Sequence, residues 1–108
     1  MIAQSVRGDD AQARLTRALA GHALGAGVTV TVEQCRSRPW ASATFEGVQL
    51  HLTLVASPVD PARRWLAALD EAELAMRGHV AMPPAVDAAW TRGEEMVATV
   101  TVLVLIDG

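Results

Sequence analysis

Apolar and polar residues alternate from Pro39 to Ala56, and the alternation changes phase midway. Ala41, Ala43 and Phe45 fall on odd positions, whereas Val48, Leu50, Leu52 and Leu54 fall on even ones. One flat strand cannot put both sets on a single face. A two-residue hairpin turn at Glu46-Gly47 resolves the conflict, because Phe45 then faces Val48, Ala43 faces Leu50 and Ala41 faces Leu52. The opposite face would carry Trp40, Ser42, Thr44, Gln49, His51 and Thr53. A β-bulge at the same place is the alternative, since Glu at positive φ is uncommon.

The rest of the chain divides by the same reasoning. Ala11, Leu15, Ala18, Leu19 and His22 recur at helical spacing, which predicts a helix over about 9–24, begun by Asp9 or Asp10 and ended by Gly25 and Gly27. Val28, Val30 and Val32 alternate with Thr29, Thr31 and Glu33 as in a half-buried strand, which Arg36-Ser37-Arg38-Pro39 interrupts. Asp60 caps a second helix with Pro61 at its first position, and Trp65, Leu66, Leu69, Ala72 and Met76 form its core stripe up to Gly78. After an extended stretch from His79 to Met82, Pro83-Pro84 is barred from a central ladder position. Val86, Ala88 and Trp90 then read as a short edge strand, Thr91-Arg92-Gly93-Glu94 as a turn, and Met96 to Ile106 as the last strand. The order is αβββαββ, an α+β two-layer sandwich with a mainly antiparallel sheet of about four to five strands and two helices on one face.

That order resembles the secretion-chaperone-like α+β fold, although the final helix usual there has no counterpart before Gly108. The segment Trp40-Ala41-Ser42-Ala43-Thr44-Phe45-Glu46-Gly47 is similar to one found in small bacterial proteins of unassigned function. The chaperone resemblance implies binding of an extended segment of a partner protein, by analogy of fold alone.

Composition narrows the classes. A chain of 108 residues with 51% hydrophobic content fits a single domain whose core requires no metal or disulfide. Cys35 has no internal partner, and Asp9-Asp10 interrupt the N-terminal stretch before a signal-peptide core could form, so the expected location is the cytoplasm. The apolar run from Met96 to Ile106 is about half of the ~20 residues a spanning helix requires. Net charge is -3 and the nine basic residues are all arginine, dispersed without a stripe, which argues against nucleic acid as a partner.

Candidate chemistry is sparse. His22, His51, His79 and Cys35 are suitable in type for zinc, but their separations match no ligand motif, so neither a metal nor a cofactor is expected. Cys35 with His51 as its base lacks an activating helix N-terminus, and reads as a strand residue. The carboxylate pairs Asp9-Asp10, Asp70-Glu71 and Glu94-Glu95 fall at a helix start, a helix exterior and a turn, where charge is solvated. Gly21, Gly25 and Gly27 follow a helix, whereas phosphate loops precede one. What remains is the second face of the sheet, with Trp40, Ser42 and His51 among threonines, and with Leu103 and Leu105 pointing outward and needing a cover. Two readings follow. One is a non-catalytic binding or adaptor protein, a homodimer joined through Leu103, Leu105 and Trp40, with a protein partner. The other is a small-molecule binder or enzyme, with Trp40 as apolar wall and His51 as proton donor or acceptor assisted by Ser42.

Overall fold

The computed structural model describes residues 2–106. Helix α1 (Ile2–Gly25) is followed by strands β1 (Thr29–Ala41) and β2 (Glu46–Ser57), and then by helix α2 (Val59–Ala68) with a 3-10 turn at Leu69–Glu71. Four strands complete the chain: β3 (Ala75–Met76), β4 (His79–Ala81), β5 (Ala85–Arg92) and β6 (Glu95–Ile106). All six strands form one antiparallel sheet ordered β1-β2-β6-β4-β3, with β5 following β4 along the same edge of β6. The α+β class, the antiparallel sheet and the two helices agree with the sequence pattern.

Both helices cover one face. Ala11, Leu15, Leu19 and Ala23 of α1 and Ala62, Trp65 and Leu66 of α2 join a single buried cluster with Leu50, Leu52 and Leu54 of β2 and Val100, Val102 and Val104 of β6. Each fully buried leucine or valine removed from water contributes about 1.5–3 kcal/mol before entropy is charged against it. The indole Nε1–H of Trp65 donates to His22 Nδ1 at 2.9 Å, which ties the helices together and fixes that nitrogen as an acceptor. Helix α1 ends in a Schellman motif: Val28 N–H donates to Ala23 O, Gly27 N–H donates to Leu24 O, and Gly27 has φ +76°. Arg14 holds α1 to the β3–β4 turn, donating to the Asp10 carboxylate and to Arg77 O.

Several boundaries differ from the pattern. Helix α1 already runs from Ile2, so Asp9 and Asp10 lie within it rather than capping it. Arg36–Pro39 do not end β1, because Pro39 sits on an edge strand whose other side has no ladder to donate to. Glu46-Gly47 is neither a turn nor a bulge. The connection is Ser42–Phe45, where Phe45 N–H donates to Ser42 Oγ and Ser42 N–H donates to Phe45 O, and Ala41 pairs with Glu46. The phase change is a turn two residues longer than expected, placed earlier. Helix α2 begins after Pro58 and stops at Ala68, so Ala72 and Met76 are not on it. Ala72, Leu74 and Met76 are half-buried and alternate with exposed Glu73 and Ala75, a period of two that leads into the β3–β4 hairpin around Gly78 (φ +75°). Asp107 and Gly108, where any final helix would begin, lie outside the described residues.

Candidate functional site on the helix-free face

An antiparallel sheet with helices on one side presents its other side to solvent, and register decides which residues stand there. Trp40 pairs with Gly47, Gly47 with Leu105, and Leu105 with Val80, so these four form one row across β1, β2, β6 and β4. Arg38, Gln49 and Leu103 form the next row, with Met82 beside them through its N–H bond to Leu103 O. Val80 and Met82 are 55% and 42% exposed and Leu103 and Leu105 are half-buried, so apart from Arg38 and Gln49 the two rows form an exposed apolar band.

Gly47 is needed where it stands. A Cβ there would lie 2.5 Å from Val104 O and 3.3 Å from the Leu105 side chain, which leans over the glycine. The glycine is therefore required by a close approach of β2 and β6, not by a turn at Glu46-Gly47.

The third row is polar. Arg36 pairs with His51 and His51 with Thr101, and Thr101 Oγ1 lies 2.6 Å from Asp87 Oδ2 and 3.2 Å from His51 Nδ1. A hydroxyl has one hydrogen to give. With that hydrogen directed to the Asp87 carboxylate, His51 Nδ1 is the donor to Thr101, and Nε2 carries the free lone pair on the side of the ring away from Thr101. Asp87 reaches this row because it is the extra residue of a β-bulge between Val86 and Ala88.

A second bulge, between Val32 and Gln34, does the same with Glu33. The Glu33 carboxylate receives two bonds from the Arg92 guanidinium, at 2.9 and 3.3 Å, across the sheet face. The hydrogen bond from Arg92, opposed by desolvation and aided by the guanidinium charge, holds the Glu33 carboxyl below the ordinary range; the same pairing raises Arg92. At this end, outward-facing Val55 and Val97 are only 7% and 1% exposed, although neither belongs to the helix-covered core. The face thus carries an apolar band, a polar row, and a second apolar patch in which Val55 and Val97 are buried while Trp90, opposite Val97, is 45% exposed.

Of the candidate residues, Trp40, His51, Leu103 and Leu105 share this face. Ser42 is in the β1–β2 turn with its hydroxyl occupied by Thr44 and Phe45 N–H groups, and the residue opposite His51 is Arg36. Cys35 pairs with Leu52 and packs against the core, on the face opposite His51, where burial pushes its thiol pKa up. His79 stands apart near Asp10 and Arg77 O. Among the described residues no group of three or more His, Cys, Asp and Glu side chains is arranged to hold a metal. Among the described residues no helix is long and apolar enough to cross a membrane.

Asp87, Glu33 and Arg92 are absent from the sequence-derived site. Their signal was the step from Val32 to Cys35 and from Val86 to Ala89, where inward residues lie three apart instead of two. The fold and face define an α+β protein with one sheet surface left open. Comparison with protein-family models, curated proteins and solved structures finds no match.

Proposed function

We propose that this is a non-catalytic binding protein that works as a homodimer through the helix-free face of its sheet. The observation that carries this reading is the apolar band at one end of the helix-free face, where exposed Trp40, Val80 and Met82 flank half-buried Leu103 and Leu105. A second copy supplies the missing cover with one self-complementary surface. The β1 edge is a poorer joint: it carries a bulge, Arg36, Arg38 and Pro39, all devices that discourage edge-to-edge pairing. Native mass spectrometry of the untagged protein, purified without chelator, is expected to show a dimer free of added mass. A monomer at micromolar concentration would reject the dimer.

The chain of bonds from His51 through Thr101 to Asp87 favours a second reading, a small-molecule binder or small enzyme with His51 Nε2 as proton acceptor. It predicts that retained small-molecule mass disappears in His51→Ala with unchanged melting temperature. An unfolded His51→Ala would make His51 structural.

A further inference from the structure

We infer that the two copies stack face to face about a two-fold axis running along the strands above the β2–β6 boundary, so that Arg36 of each copy meets the partner's Asp87. This rests on the dimer reading above, and its ground is the layout of charge in one row. Register places Arg36, His51 and Thr101 in line across β1, β2 and β6, with Ala85 opposite Thr101 on β5, and the bulge brings the Asp87 carboxylate to the β5 end of that line. Cation and carboxylate stand at opposite ends of that line, three strand spacings or about 14 Å apart. The Arg36 side chain makes no hydrogen bond or ion pair among the described residues.

A rotation about an axis along the strands reverses the order β1-β2-β6-β5 and keeps each row opposite itself. Arg36 then lies over the partner's Asp87, at the spacing and near alignment usual for stacked sheets. The apolar rows fit under the same operation. Trp40 lies over the partner's Val80, and the two Leu105 side chains, each leaning over its own Gly47, meet near the axis. An axis across the strands at the level of this row would instead set Arg36 against the partner's Arg36, and pairing of two β1 edges would gather four arginines. Like charges placed together oppose both alternatives.

The geometry has a direct test in two charge reversals, Arg36→Asp and Asp87→Arg, with dimer content read by native mass spectrometry and folding confirmed by thermal melts. Each variant alone places like charges at both copies of the contact and is expected to dimerise about tenfold more weakly than wild type. Mixed in equal amounts, the two variants pair aspartate with arginine at both copies. A heterodimer is expected to form within about threefold of wild-type affinity, a rescue that no contact inside one protomer can mimic. If Asp87→Arg does not fold, Arg36→Gln and Asp87→Asn replace the pair, and their double variant is expected to lose no more affinity than either single one. A wild-type monomer would overturn the dimer reading itself. A dimer indifferent to both reversals, or a mixture that stays dissociated, would overturn this geometry and leave a dimer built on another surface.

Discussion

Gly47 shows how much one missing side chain decides. Its position beneath Val104 O and Leu105 allows β2 and β6 to close tightly at the centre of the sheet. Gly47→Ala is expected to lower stability by about 1–3 kcal/mol, because backbone on both sides must move; urea unfolding would measure it, and an unchanged midpoint would show that the strands separate without cost. The two bulge carboxylates make different predictions. Glu33 has a depressed pKa in the folded chain, so its pairing with Arg92 stabilises above the unfolded carboxylate value of about 4.3 and is lost as pH falls through the lower folded value. Thermal melts of wild type and Arg92→Met should therefore differ slightly at neutral pH and converge in acid. A gap that persists in acid would mean that Arg92 acts by covering Val55 and Val97. For Asp87 the test is Thr101→Val, which removes the hydroxyl that fixes the His51 ring. Nitrogen NMR of the neutral imidazole should find the Nδ1–H tautomer in wild type and the Nε2–H tautomer populated in the variant. At this scale the sequence revealed His51, Trp40 and the outward leucines, because period two alone places them. Glu33 and Asp87 were hidden because a bulge puts two consecutive residues on one face, which an alternation rule reads as noise.

The elements were legible where one periodicity ruled and obscure where two competed. Strand β6 was delimited within a residue, whereas its hairpin partner β5 runs two residues past Trp90, to Arg92, and shortens the turn. Residues 65–76 satisfy helical spacing at Trp65, Leu66, Leu69, Ala72 and Met76, yet Ala72, Leu74 and Met76 also satisfy period two. Tertiary pairing settles the competition, since Val80 and His79 bond to the end of β6 and pull the preceding residues out of the helix. Leu74 then rests against the core from an extended segment, not from a helix. A proline at Glu73 would break a helix spanning 65–76, with a cost near 3 kcal/mol, but should cost well under half of that here, because Ala72 is already extended. Urea unfolding of Glu73→Pro distinguishes the two, and a loss of the full amount would show that α2 continues past Ala68.

For the whole molecule, one face of the sheet is closed by helices and the other is only partly closed by its own side chains. At one end of that open face Val55 and Val97 are buried, with Trp90 opposite Val97 45% exposed; at the other, exposed Trp40, Val80 and Met82 flank half-buried Leu103 and Leu105. This exposed band is the main ground for a second copy. It was partly visible beforehand in the two-sided apolarity of Leu103 to Ile106, whereas the cross-strand partners Trp40, Val80 and Met82 required the register. Sedimentation velocity of wild type and Leu105→Asp over a range of concentrations tests it most directly, with circular dichroism to confirm that the variant folds. The expected result is a wild-type dimer and a folded Leu105→Asp monomer. A wild type that sediments as a monomer at every concentration, or a Leu105→Asp variant that dimerises as well as wild type, would contradict it.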